Sequence, residues 1–482
     1  MELTFIGAIQ LVVGLAIVIV GSLRSALFFV MISCLFNGSA AITLTALGSS
    51  AISPMQLALV FALLRAVLPG SGYLQAIPEA IRTNKWLFFY TLFAVIIGYA
   101  GPRIFAGAID VTPLRPLLTS DLFATTPLEP TTQNLTATLY VVGAFLLTLV
   151  AYLACRRPGG SATVVSGFVW MGGLHVFLGI LGLVAFGTPL DAMLDLFRNN
   201  SYAQLGHEYG NFVRIRGLSP EASTYAGFGF CLFVANCELW FRLIRPVATG
   251  AVALALGSVL FFSTSSTAYV ALSTYALIVL VRSILVPDLL TAYHFKAIAR
   301  TFGMLIFVTA VIFAAMPGIP DQVWEMIRHM TVDKSDSSSG QQRLFWAMQG
   351  WEAFKASYGL GIGPGSFRSS SMLLAILGST GIIGIVTFSI YLVLVLQPRR
   401  RSSWGYGKEI ANMVGGGFAA AAIFSLIPGM VSSSHMEPLE PFAVLAGASL
   451  AVRRRVPHIA GDTAPVMHRG LRGAPAEPAA QA

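Results

Sequence analysis

The chain has 482 residues, of which 56% are hydrophobic and only 11% charged, with a mean hydropathy of +0.75. A soluble domain carries about 25% charged residues, so this composition cannot clothe a water-facing surface, and a soluble enzyme, a nucleic-acid-binding protein and a disordered chain are excluded. The formal charge of +9 then reads as a signal of membrane orientation and not of nucleic-acid binding.

Apolar runs follow one another near 4–22, 25–46, 51–69, 86–108, 135–155, 162–187, 222–244, 247–262, 264–282, 301–316, 371–396, 411–430 and 439–452. About 20 apolar residues cross a hydrocarbon core. The runs are continuous and do not alternate polar with apolar, which argues against a membrane β-barrel. The expected fold is therefore an all-α, polytopic transmembrane bundle of 12–13 spans over 1–455, with a large outer loop at 317–370. A disordered cytoplasmic tail, rich in Ala, Pro and Gly, is expected over 456–482. The first run lacks a basic leader and reads as a span, not a cleaved signal. Cys34, Cys155, Cys231 and Cys237 all fall inside apolar runs and lack the paired spacing of a zinc site, so they are expected to be packing residues, without disulfide or metal.

Orientation follows from the basic clusters. With Arg399–Arg401 and Arg453–Arg455 placed in the cytoplasm, Arg156, Arg157, Arg242 and Arg245 fall on the same side, and most acidic residues fall outside. Three outer segments are then long enough for chemistry, near 109–134, 188–221 and 317–370. In the last of these, Ser339 and Gln342 fit a capping box. Leu344, Ala347, Met348 and Trp351 follow at helical spacing, as in an amphipathic helix lying against the membrane or the bundle. Ionisable residues are nearly absent from span centres, where ion-coupled transporters need them.

The outer segments hold the candidate site. Arg214, Arg216, Arg343 and Arg368 lie outside against the general trend. Their planar forks suit phosphate oxygens, and the alternative for each is an interfacial anchor or a salt bridge to an outer carboxylate. In Arg216–Glu221, Ser219 is expected as N-cap and Pro220 as first helical residue, with Glu221 in the first turn. There the helix dipole favours a carboxylate for purely structural reasons, while the functional reading is a general base at the membrane surface. Glycines alternate at Gly359, Gly361, Gly363 and Gly365 without the Lys of a phosphate-binding loop. They read either as a flexible return to the membrane or as a close backbone approach to a ligand. Ser263–Thr267 is a polar turn between two spans, His175 a packed residue, His435 a turn residue or a proton carrier, and Glu238 and Arg242 an i,i+4 ion pair on a helix surface.

These stretches resemble the superfamily of bacterial O-antigen ligases and Wzy-type polysaccharide polymerases. Arg216-Gly217-Leu218-Ser219-Pro220-Glu221 is similar to the family's Arg-Gly element before a middle span, although here Pro precedes Glu. Ser263–Ala268 is similar to its Ser-rich turn, and Arg343–Arg368, with Trp346 and the alternating glycines, to its large outer loop. Where ligases carry a His-Asn pair after the glycines, this chain has Ser369-Ser370-Ser371, which favours an exopolysaccharide polymerase. The resemblance implies a metal-independent, cofactor-free, inverting glycosyltransferase on the periplasmic face of the inner membrane. Its donor and acceptor would be glycans on undecaprenyl diphosphate, with membrane lipid, a chain-length regulator and the export machinery as further partners. Arg216 and Arg343, joined by Arg214 and Arg368, would hold the diphosphate, and Glu221 would act as base or orient the acceptor hydroxyl. A ligase passing finished glycan to a lipid acceptor and a lipid-linked oligosaccharide flippase are the rival readings.

Overall fold

The computed structural model describes residues 2–44, 50–69, 71–114, 123–199, 208–209, 212–286, 289–315, 338–397 and 410–453. The tail expected over 456–482, the cluster Arg399–Arg401, Arg454 and Arg455 lie outside these residues. The chain is 75% helical with almost no sheet, an all-α polytopic bundle of membrane type. Its helices are α1 Phe5–Val20, α2 Leu23–Ser33, α3 Pro54–Val67, α4 Ile77–Thr83, α5 Lys85–Ile104, α6 Thr132–Cys155, α7 Gly160–Val184, α8 Pro189–Asp195, α9 Ala222–Phe241, α10 Pro246–Phe262, α11 Ser266–Leu285, α12 Ala292–Ala315, α13 Ser338–Ala356, α14 Met372–Leu396, α15 Ile410–Phe424, α16 Ile427–Ser432 and α17 Glu440–Arg453. Among the described residues, six helical segments are long and apolar enough to cross a membrane: α5, α6, α7, α11, α14 and Asn412–Ser432.

Two expectations about local structure need correction. The 25–46 run is helical only to Ser33, and after a short 3-10 turn it forms strand β2 (Ile42–Leu44). That strand pairs antiparallel with β1 (Glu2–Leu3) and β3 (Ser50–Ile52). At 1.5 Å per residue, the 11 residues of α2 cover only about 16 Å. Ser339 is not an N-cap, because α13 is already helical at Ser338.

Small residues bring the central helices together. α17 packs against α6 and α15. An added Cβ on Gly447 would lie 2.2 Å from the carbonyl oxygen of Thr148 and 3.2 Å from Ala151. With lipid as apolar as the helices, such close backbone approach supplies much of the attraction. All four cysteines are buried and free.

The connections sort into two ends. At one end, Arg24 donates to the Pro158 carbonyl, Arg157 to Ser71 and Arg65 to Gly21, and Arg156 pairs with Glu79. The other end carries the three long connections, among them β4 (Asp110–Val111) paired with β5 (Thr126–Pro127).

Glu238 and Arg242 are no surface pair. Glu238 is fully buried, and its carboxylate accepts from Arg242 (2.7 Å), from both guanidinium nitrogens of Arg282 on α11, and from the Tyr275 hydroxyl (2.8 Å). Breaking such a network leaves two guanidinium groups without their counter-charge. Glu238→Ala is expected to destabilise the bundle by about 3–5 kcal/mol, read as a lower melting temperature in detergent. An unchanged melt would show that the network carries no stability.

Candidate functional site

The alternating glycines are neither a flexible return nor a ligand cradle. All four have positive φ: Gly359 at 83°, Gly361 at 88°, Gly363 at 94° and Gly365 at 76°. What they approach is protein. An added Cβ on Gly361 would stand 2.4 Å from Ser379 O, on Gly363 2.8 Å from Ile97 O, and on Gly365 2.3 Å from Gln133 O. The segment is threaded between α5, the start of α6 and a break in α14, where Gly381 leaves helical geometry (φ 58°, ψ −152°). Hydrogen bonds lock it there: Ile362 N–H to Gly378 O (2.8 Å), Gly363 N–H to Ser379 O (3.0 Å) and Ile382 N–H to Gly359 O (2.9 Å). Asn134, which caps α6 through Thr131, also donates to Pro364 O and the Ser366 hydroxyl (both 2.9 Å). Gly361→Ala combines a clash with a positive φ that costs a side-chain-bearing residue about 1–3 kcal/mol. It is expected to lower the melting temperature, whereas Leu360→Ala, on an exposed neighbour, is expected to leave it unchanged.

This stitched segment delivers Arg368 to the loop-bearing end. Its N–H bonds Thr112 O (2.9 Å), and its guanidinium lies 4.0 Å from the Trp346 ring centre. Ser370 donates to the Arg343 carbonyl, so the start of α13 sits beside the same strand of chain. Burial draws the Arg368 guanidinium below its usual range, while Glu221, close enough to act on it, pulls the other way.

Glu221 is itself the N-cap of α9, with extended φ and ψ of −149° and 161°, two residues later than the Ser219 cap expected. Its carboxylate does not cap the backbone; it accepts from the Ser223 and Thr224 hydroxyls. Ser219 instead closes a turn on Arg216 O (2.9 Å).

Two of the four arginines stand apart from this pairing. Arg216 is buried at 6% exposure and lies 4.0 Å from Asp195 at the end of α8. Its neighbour Arg198 pairs with Asp191 (2.8 Å) and Asp195 (3.1 Å) and donates to Gly217 O (3.0 Å). Burial, and then Arg198, push Arg216 down to about 10 against the pull of the two aspartates. Arg214 donates to Thr264 O (3.4 Å) in the Ser263–Ser265 turn that opens α11. There Thr264 has a positive φ of 52°, and the hydroxyls of Thr264 and Thr267 are buried without a hydrogen-bond partner. His175 is a packed residue, stacked on Tyr225 at 3.9 Å.

The loop between α16 and α17 adds residues that the sequence left among its weaker candidates. His435 and Glu440 are electrostatically coupled, and Arg368 acts on the same imidazole. The protein packed around His435 lowers its pKa, an effect limited by the 49% of its side chain that stays open to solvent. Glu437 lies 3.6 Å from His435 Nδ1, and its second oxygen is buried without a partner. Burial pushes the Glu437 carboxyl up to about 8. Spacing alone could not connect this loop to Arg368, 67 residues earlier.

Glu437 makes a pH signature. Its folded pKa is raised, so its contribution is intact below the ordinary carboxyl range and is lost as pH rises towards about 8. Glu437→Gln is expected to flatten the fall in melting temperature between about pH 4.5 and 8. An equally steep fall in the variant would show that Glu437 does not set it.

The chain matches no family model and no curated protein.

Proposed function

We propose that the protein polymerises undecaprenyl-diphosphate-linked oligosaccharide repeat units into exopolysaccharide at the periplasmic face of the inner membrane. The observation that carries the reading is the convergence, at the loop-bearing end, of a carboxylate (Glu221), a guanidinium (Arg368) and the Arg343 end of α13. Glu221 comes from a segment more than 120 residues before the other two. The basic surface at the opposite end supports placing the loop-bearing end outside, since cytoplasmic connections collect Lys and Arg.

Inverting glycosyl transfer without a nucleotide sugar needs two services. The acceptor hydroxyl must lose its proton as it attacks the anomeric carbon, and the departing lipid diphosphate must be stabilised as its charge grows. Arg343 and Arg368 supply the second, and Arg214, beside the unpartnered hydroxyls of Thr264 and Thr267, offers a further anion contact. Fixed donors aimed at developing charge act most strongly where protein excludes water. Arg216, tied to Asp195 and neighbouring Arg198, contributes positive potential to the same outer segment. Glu221 orients or deprotonates the acceptor; its carboxylate is positioned at the start of α9 by the Ser223 and Thr224 hydroxyls.

Arg343→Ala or Arg216→Ala is expected to reduce chain extension by about 10²–10³-fold while the protein still reaches the membrane. The assay is elongation of lipid-linked repeat by purified protein in nanodiscs. Full-length polymer from both variants would overturn the assignment, and a requirement for a second, non-polyprenyl acceptor would identify a ligase.

A further inference from the structure

Helix α13 carries more than the arginine at its start. Arg343, Trp346, Gln349, Glu352 and Lys355 recur every third residue. Each step of three residues turns back about 60°, so the row winds obliquely round the helix and brings Gln349, Glu352 and Lys355 to the side that faces β4. From Arg343 to Lys355 the ridge rises about 18 Å. Its far end borders an open groove of about 480 Å³ between α13 and β4, lined by Ile109, Asp110, Gln349, Glu352 and Lys355.

The groove joins Arg368 through one residue. Thr112 N–H donates to the Gln349 side-chain oxygen (3.3 Å), and Thr112 O accepts from Arg368 N–H (2.9 Å). Gln349 is 8% exposed, and with its oxygen taken, its NH2 is the part left to donate. At the junction, the Thr112 hydroxyl and the Trp346 indole N–H are both buried without a hydrogen-bond partner. Lys355 is bound to Glu352 (2.7 Å), which offsets its positive charge. Asp110 adds an exposed carboxylate opposite.

We infer that this ridge and groove form a glycan track, which binds the hydroxyl-bearing sugars of the repeat unit next to the diphosphate held at Arg343 and Arg368. The inference rests on the polymerase reading for the diphosphate. The chemistry of the track is its own. Amide and carboxylate groups suit the alternating donors and acceptors of sugar hydroxyls, and the two carboxylates against one lysine disfavour acidic sugars. A site built to hydrogen-bond hydroxyls discriminates strongly against analogues that lack them, so these residues would select the repeat unit.

The test uses the triple variant Asp110→Asn, Glu352→Gln, Lys355→Met, all at exposed positions away from Arg343, Arg368 and Glu221. In nanodiscs, with lipid-linked repeat as substrate, KM is expected to rise about tenfold while kcat stays within twofold. An unchanged KM would overturn the track and leave the polymerase reading standing. A second measurement needs no turnover: saturation-transfer NMR with neutral oligosaccharides, released by partial hydrolysis of the cells' own surface polysaccharide. Signal on the wild type that is lost in the triple variant supports the track even if no extension is seen, in which case the polymerase reading alone fails. Equal signal on both proteins, or none on either, overturns it.

Discussion

The loop-bearing end depends on the insertion of one glycine-rich segment into a broken helix. The break at Gly381 opens backbone groups in the middle of α14, and the chain from Gly359 to Gly363 closes them again by hydrogen bonding. In a membrane, backbone that leaves the helix is tolerated only where protein satisfies it. The same segment touches α5 and α6, so it fixes three helices and one long connection in a single joint. The positions of Arg368 and of Ser370 beside Arg343 follow from it.

Charge is handled differently at each depth. Within the bundle, Glu238 is compensated by two arginines and a tyrosine. Near the surface, Arg216 shares the carboxylate of Asp195 with Arg198. Around Arg368, Glu221, His435 and Glu437, charged groups face one another without closing into pairs this tight, and burial lowers the His435 imidazole and raises the Glu437 carboxyl.

Membrane character and the helices themselves were legible in the sequence, because hydrophobic length is a direct consequence of bilayer thickness. The outer arginines were legible as a set, since they ran against the charge trend. Their division was not: whether Arg216 meets Asp195 or faces Glu221 depends on how α8 packs, and no periodicity reports that. The glycines were read as permissive backbone, which was correct, but permission does not say what approaches. A loop closing on a ligand and a loop threading a helix break call for the same residue. His435 was legible as a turn residue or a proton carrier but not as a neighbour of Arg368, because that nearness is made by the fold alone.

The glycine joint also bears on how such a protein can change over generations. Every missense change in a glycine codon introduces a side chain or a proline, and at Gly361 or Gly365 that group meets a carbonyl oxygen at a distance no carbon atom tolerates. Those positions are closed to drift. Asp110, Glu352 and Lys355 stand on open surface, where substitution costs the fold little. The architecture thus sets a frame that admits no side chain beside a surface free to vary.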